Sequence, residues 1–514
     1  MDEPRSGKGL LWWAVLCAVI GTVAFQGSRG LYESTEGRYA ECAREMIVSG
    51  DYLRPTLDFA PHWTKPPFTY WAIASGVKVL GRNAWGARAF LVPTFVLTVF
   101  AVYWLARHLW DRSKGALTAL VYATMWGPVG AASTISADSL LTLWETLALA
   151  CFWWGVRSRR EYPIILMWLF WGLAFFTKGP PALLPLLAVV AFRILVRDDA
   201  VRSVRFFVPA GVGLGLAVGL WWYLWAVVRY PGLLTYWLKH EVVGRVATDE
   251  FRKNPKWYHM FTAYWPFLLG GSLPWLAVVG WIDRAGFWEW LQSVRRRGPR
   301  GLWGRVTSTL KNMSAPGLFL TCIFFIPLFV FSISRSRLPL YVLPLCAAVS
   351  CLLGWKIACL ADRGRLTRQH LLRLALAGTA VVVLGKGLMA HWPSKRDMGT
   401  LALALQAAWP EKESSDRAPL YLVSKAPCYG LQFYWGDPVI RVHPKWQAKP
   451  SPGLMPLSSL TKNCGAQATV LSSGRKILTR LENGPVLEEQ LRQEGYQVIS
   501  KALTRHWKLL EVSP

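Results

Sequence analysis

Charge is what this 514-residue sequence has least of, and acidic charge is the scarcest part. Asp, Glu, Lys and Arg make up 17% of the chain, with 30 acids against 58 bases. A soluble globular chain carries roughly 25% charged residues. The nine cysteines include no Cys-x-x-Cys pair, and histidine is sparse and scattered, so no structural zinc spacing is present. No phosphate-binding loop, nucleophile elbow or internal repeat is evident. Paired repeats with broken helices would point to a transporter, and their lack makes that class a weak alternative.

What fills the chain instead is apolar. Hydrophobic residues reach 53%, with 30 Trp. A membrane-spanning helix needs roughly 20 apolar residues. Uncharged runs recur near 10–27, 89–106, 115–137, 139–156, 162–177, 179–192, 206–228, 260–282, 312–334, 338–355 and 371–391. They predict an α-helical polytopic membrane protein of about eleven to thirteen transmembrane helices. The apolar stretch 66–81 carries Lys78 and Pro66-Pro67 and is placed at the interface. The first run lacks a small-residue cleavage site and reads as a retained span.

A net charge of +28 suits nucleic acid in general, but its distribution argues against that partner. The bases cluster in alternate short loops: Arg107/Arg112/Lys114, Arg157/Arg159/Arg160, Arg193 to Arg205, Arg284 to Lys311 and Arg363 to Arg373. That asymmetry places these loops in the cytoplasm. The opposite loops, led by 28–88, become extracytoplasmic and hold nearly all the unusual polar residues. The expected division is a transmembrane domain over 1–392 and a small extracytoplasmic α/β domain over 393–514. Strand-like runs at 419–424, 439–442, 468–473, 496–502 and 507–512 alternate there with a helical pattern at 486–494. Cys428 and Cys464 fall in this tail, on a side where pairing is possible. The other cysteines mostly lie within apolar runs as small hydrophobes.

The first loop is the densest constellation. From Ser34, a plausible N-cap, Arg38, Glu41 and Glu45 fall at helical spacing opposite Ala40, Ala43 and Ile47, as in an amphipathic helix on a membrane surface. Glu36-Gly-Arg38-Tyr39-Ala40-Glu41, Ser49-Gly50-Asp51 and Lys65-Pro66-Pro67 follow in order. Further on stand Asp138 at a span start, Thr177-Lys178-Gly179, the block Trp237 to Arg245, Pro255-x-Trp257-Tyr258, Gly271 to Trp275, and Ser334-Arg335-Ser336-Arg337-Leu338-Pro339-Leu340-Tyr341. Together these resemble the lipid-linked-sugar glycosyltransferases of the GT-C type. The nearest likeness is to the aminoarabinose transferases that modify lipid A, and beyond them to the protein O-mannosyltransferases.

The resemblance implies the GT-C fold and transfer of a sugar, such as 4-amino-4-deoxy-arabinose, from a polyprenyl-phosphate donor to a glycolipid or glycan acceptor. The reaction would occur on the outer face of the inner membrane. The residue chemistry fits independently, because such a site needs cations for the carrier phosphate and a carboxylate for the acceptor. Arg38, Lys65, Lys178, Arg245 and Arg337 are the candidate phosphate cations, since Arg binds phosphate through a fork and Lys as a point charge. Arg38 and Lys65 lead that set. Arg335 or Arg337 taken singly reads more readily as a cation snorkelling to lipid headgroups. Tyr39 and Tyr341 are candidates for the phosphate or sugar hydroxyls, with an interfacial aromatic as the plainer role. Asp138 is a candidate catalytic carboxylate. Glu145, two turns deeper, reads as one member of a buried pair, and His240-Glu241 as a helix-surface pair.

The sequence also departs from that family. Thr35 replaces its Asp, so Glu36, Glu33 or Asp138 has to supply the acceptor's charge, and Glu36 is the first choice. Thr64 and Arg252 replace a Glu and a His that together suit a divalent metal. No metal or other cofactor is therefore expected, and Thr35 and Thr64 are assigned to substrate binding. An altered, non-catalytic member acting as a binding partner is the alternative, and a protein O-mannosyltransferase is another.

Overall fold

The computed structural model describes residues 3–244, 254–284, 288, 292, 312–409, 420–424, 427–436, 439–443, 455–456, 475–493 and 495–513. The apolar runs fold into helices α1 (Glu3–Val23), α4 (Leu91–Leu109), α5 (Arg112–Thr124), α6 (Trp126–Ala131), α7 (Ala137–Ser158), α8 (Tyr162–Lys178), α9 (Leu183–Leu195), α10 (Pro209–Arg229), α11 (His259–Gly271), α12 (Trp275–Ile282), α13 (Ala315–Ile333), α14 (Leu345–Asp362) and α15 (Arg368–His391). Between the first two lie α2 (Thr35–Ser49) and α3 (Phe68–Leu80), both built by the first loop. Among the described residues, six helices are long and apolar enough to cross a membrane, or seven if α11 and α12 form one bent span. Others, including α8, are apolar but shorter. The protein is a multi-span helical membrane protein.

Three expected spans are broken, each where proline intervenes. The run 115–137 splits at Met125, whose ψ of 131° is extended. Pro128 has no N–H for the Thr124 carbonyl, but it is tolerated in the first turn of a new helix. α11 and α12 meet at 77° across Ser272-Leu273-Pro274. The last cytoplasm-bound run starts at Leu345 rather than 338, because Pro339 and Pro344 bias their predecessors away from helix.

Two apolar cores hold the bundle. One joins α1, α4, α5 and α14 around Tyr122, Trp275 and Ile357. The other joins α7, α8, α9 and α13 around Phe152, Phe192 and Phe319. A third belongs to the first loop, where Tyr39, Ala43 and Met46 of α2 meet Tyr70 and Ile73 of α3, with Phe433 from the far end of the chain. α2 is therefore not a surface helix: Glu36, Gly37 and every residue from Tyr39 to Met46 are buried. Its charges survive burial by pairing, as in the two-pronged Arg44–Glu41 contact at 2.7 and 2.8 Å.

Among the described residues, the C-terminal part is a six-stranded sheet with three helices. Strands β1 (Leu420–Val423), β2 (Val439–His443), β3 (Met455–Pro456), β4 (Arg475–Arg480), β5 (Gln497–Ala502) and β6 (Trp507–Ser513) run in the order β3-β2-β1-β4-β6-β5. The first four are parallel, and β6 is antiparallel to both β4 and β5. Helices α16 (Met398–Ala408), α17 (Tyr429–Trp435) and α18 (Gly484–Gln493) complete it. The sequence reading missed β4, which is central. Its buried Ile477 and Leu478 are flanked by basic residues that mask the apolar pair. The expected strand at 468–473 and Cys464 lie outside the described residues.

α17 docks on α2 through backbone. A Cβ on Gly37 would sit 2.4 Å from the Gly430 amide nitrogen and 2.8 Å from its Cα. Glu33 Oε2 accepts from that Gly430 amide at 3.0 Å, and the Tyr434 hydroxyl accepts from the Leu31 amide at 3.0 Å. Asp397 accepts from the Gly30 amide, and Arg441 pairs with Asp58. Gly37→Val is expected to cost about 1–3 kcal/mol by overpacking and to free the C-terminal domain. Limited proteolysis of the full chain checks this, and a digestion pattern identical to wild type would count against the docking contact.

Candidate active site at the first loop

Glu36 sits at the start of α2 and is 1% exposed. Its Oε1 accepts from Arg88 Nε at 2.9 Å and from the Ile135 amide at 3.1 Å. Its Oε2 accepts from Arg29 at 2.6 Å, from Arg88 at 2.9 Å and from the Tyr32 amide at 3.0 Å. Burial alone would raise its pKa. The Arg88 and Arg29 guanidinia outweigh that and hold the carboxyl at about 2. A carboxylate so saturated has no lone pair left for an acceptor and is a poor base. The first choice for the acceptor's base is therefore corrected, because Glu36 acts as the bolt between α2, the short turn before α4 and the segment before α7.

Arg88 and Arg29 were not singled out in the sequence. Arg88 carried a usable signal, since a lone base fully buried beside an apolar run requires a partner.

Asp138 opens α7, capped by Ser136, whose hydroxyl accepts from the Asp138 amide at 3.1 Å and donates to its Oδ2 at 2.6 Å. Its Oδ1 is ion-paired with Lys178. Lys178 ends α8 and is aimed by Gly179, whose φ of 78° lies in the region that favours glycine. The Lys178 ammonium also lies 4.5 Å from the centroid of the Tyr341 ring. Asp138, Lys178 and Tyr341 thus come together, with the buried Glu145 carboxylate in electrostatic reach below.

The second group lies across Glu36. Arg38 is half-buried beside Tyr39, its charge acting on Glu33, His62 and Tyr70. It makes no hydrogen bond or ion pair among the described residues. Tyr39 packs on Tyr70 at 5.5 Å. Lys65 pairs with Glu241 at 3.8 Å, so the His240-Glu241 pair is more than helix surface. Glu241 in turn acts on the Tyr223 hydroxyl, which abuts Gly179 and so links the two groups. Thr64 Oγ1 lies 2.8 Å from His62 Nε2. Burial, then the Arg38 and Lys65 charges, depress the His62 imidazole to about 4, so it is neutral at pH 7. Thr35 is exposed at the first turn of α2. Indole donors from Trp222 and Trp237 hold the loop at the Leu53 and Trp63 carbonyls, at 2.8 and 2.7 Å.

Two expected phosphate cations are not in this set. Arg337 is 5% exposed and uses its guanidinium on the carbonyls of Ser332, Asn254, Pro255 and Lys256 at 2.9–3.2 Å. It staples two loops and has no face left for phosphate, which corrects its assignment. Arg245 and Arg252 lie outside the described residues. Near Tyr341 an apolar groove of about 430 Å³ runs between Trp126, Gly127, Gly130, Pro266, Gly270 and Leu340.

The family model for dolichyl-phosphate-mannose-protein mannosyltransferase matches residues 31–205. An undecaprenyl phosphate-alpha-4-amino-4-deoxy-L-arabinose arabinosyl transferase of Pseudomonas fluorescens is 30% identical over 369 residues, covering 69% of this chain and 58% of that protein. One from Erwinia tasmaniensis is 30% identical over 396 residues, covering 74% and 66%. The chain thus spans about three-fifths of the length of the curated relatives it matches. The crystal structure of ArnT from Cupriavidus metallidurans bound to undecaprenyl phosphate superposes with a TM-score of 0.71 over 98% of both chains, at 21% identity. The chain is an ArnT-like protein with the GT-C fold. The first-loop helix, Asp138 and Lys178 all fall inside the matched region 31–205.

Two outcomes test the site's construction. Glu36 has a depressed folded pKa, so its contribution is present above about 4.5 and is lost as pH falls towards 2. At pH 7 the wild type should exceed Glu36→Gln in stability by about 3 kcal/mol, with the gap closing below pH 4.5. Thermal unfolding in detergent across pH reads this, and parallel curves would argue against it. Lys178→Met strands a buried carboxylate and should cost about 3–5 kcal/mol, most of it regained on adding Asp138→Asn. A double variant no more stable than the single one would refute the buried pair.

Proposed function

We propose that this chain is an integral-membrane glycosyltransferase of the inner membrane. In this reading it moves a sugar from a polyprenyl-phosphate carrier to an envelope lipid or glycan on the extracytoplasmic face. The observation that carries the reading is Arg38, a half-buried guanidinium beside Tyr39 that makes no hydrogen bond or ion pair among the described residues and whose charge, with that of Lys65, acts on His62. A fork-shaped cation held this way suits a phosphate diester. The names borne by the relatives, which speak of an undecaprenyl phosphate-linked aminoarabinose, support the same donor class.

The chemistry is a displacement at the anomeric carbon. The acceptor oxygen forms the new bond, the bond to the carrier oxygen breaks, and the phosphate leaves with the electron pair. Arg38 and Lys65 take up the charge that develops on it, the largest contribution such a site makes. Asp138 is the proposed base, because Glu36 is saturated. When Lys178 turns towards the leaving phosphate, the Asp138 Oδ1 it held is released to accept the acceptor's proton. Thr35, exposed at the first turn of α2, is placed for a hydrogen bond to the acceptor. Thr64 orients the His62 side of the site. The apolar groove beside Tyr341 fits a hydrocarbon chain. The reading needs no metal, since a hydroxyl and a guanidinium at Thr64 and Arg252 are poor ligands.

The family-model match favours one second reading, a mannosyl donor with a protein hydroxyl as acceptor. Purified protein in nanodiscs, given undecaprenyl-phosphate-linked aminoarabinose or a polyprenyl-phosphate mannose, separates the two. Transfer from the first donor to a lipid A acceptor is expected, and Arg38→Ala should reduce it by roughly tenfold or more. Transfer only from the mannosyl donor to protein would select the second reading. No transfer from either, together with an unchanged envelope in a deletion strain, would defeat both.

A further inference from the structure

The C-terminal domain does more than cover the first loop. Tyr429 opens α17 and is half-exposed, at the seam where α17 meets α2. The Arg441 guanidinium lies 5.1 Å from its ring centroid and donates to its hydroxyl at 3.4 Å. Arg441 is anchored in turn by Asp58 of the first loop. The Tyr429 side chain is thus fixed by contacts reaching both domains. A phenol that accepts from a guanidinium still has its own O–H to give, and among the described residues that proton goes to no acceptor.

Gly37 packs directly on Gly430, so their chain neighbours Arg38 and Tyr429 meet at this seam, and Arg38 is the strongest charge acting on the hydroxyl. Glu33 lies on the same side, with one oxygen on the Gly430 amide and the other buried without a hydrogen-bond partner. The Arg38 guanidinium lies 6.0 Å from the Tyr39 ring centroid, at the end of α2 on which α17 docks. Burial pushes the Tyr429 phenol up to about 12, so it remains a donor throughout the physiological range. A donor hydroxyl and a guanidinium that makes no hydrogen bond or ion pair among the described residues, brought to one seam, are complementary to a single anionic oxygen cluster.

We propose that Tyr429 is a ligand-binding residue of the transferase site, lent by the C-terminal domain, and that its hydroxyl donates to the same phosphoryl group that Arg38 binds. This rests on the proposed transferase reading and adds a contact to it. It makes the site composite, formed only when the C-terminal domain is seated on α2. The ligand class is a phosphate ester at a membrane surface, for which undecaprenyl phosphate is the probe.

The test is equilibrium binding of undecaprenyl phosphate to the full chain in nanodiscs. Tyr429→Phe keeps the ring under Arg441 and removes only the hydroxyl. It should weaken binding roughly 5- to 30-fold, the range of a hydrogen bond to a charged group. Adding Arg38→Ala should then cost less than it costs in the wild type, because two groups on one ligand couple. Binding unchanged in Tyr429→Phe, or penalties that simply multiply, would overturn the proposal while leaving the transferase reading intact. A wild-type chain that binds no undecaprenyl phosphate would overturn both, and the wild-type arm alone distinguishes that case.

Discussion

The Glu36 carboxylate buries a negative charge between two guanidinia, and much of the molecule is arranged around that contact. Arg88 reaches it from the short turn before α4, Arg29 from the segment after α1, and Ile135 from the residues that lead into α7. Six N–H donors converge on two oxygens, so the charge is not left without partners in a region where an orphan would be costly. The network closes because Arg88 also satisfies the carbonyls of Gln26, Arg29 and Gly30. One buried residue thus sets the height and rotation of α2 relative to the bundle.

Everything chemical is suspended from that frame. α2 projects Arg38 and Tyr39 to one side. The segment held at Ile135 delivers Ser136 and Asp138 to the other, where Lys178 meets them. The aromatic packing of Phe68 on Phe176 and Trp144, at 5.5 and 6.0 Å, ties the loop's exit to the same two helices. The two groups of polar side chains are therefore carried by elements far apart in the chain yet joined through shared contacts, which suits the preorganised phosphate recognition proposed above.

The sequence carried the helices well because long apolar runs have few alternatives in a membrane. It carried the breaks poorly. Pro128, Pro274 and Pro344 were visible, but length alone did not reveal whether each would sit in a first turn or end a span. For the site, order and spacing singled out Asp138 and Lys178, and the structure brings the two together as an ion pair. Glu36 and Arg337 were misassigned for one shared reason. A charged residue in a motif looks the same whether it faces a ligand or a ring of backbone carbonyls and guanidinia, and only packing separates the two. Tyr429 could not have been found, because nothing in a stretch of ordinary loop composition says that it will return to α2.

The ion pair between Lys178 and Asp138 has a consequence for selectivity. An ammonium already matched by a carboxylate of its own chain faces that competitor at the high local concentration of an intramolecular partner. A free inorganic anion, present at cellular levels, has to displace Asp138 with nothing but its own charge. A phosphate that arrives with a hydrocarbon chain partitioned into the bilayer brings its own local enrichment and can win the exchange. In the proposed transferase, the Lys178–Asp138 pair would therefore filter ligands by whether they are tethered to the membrane.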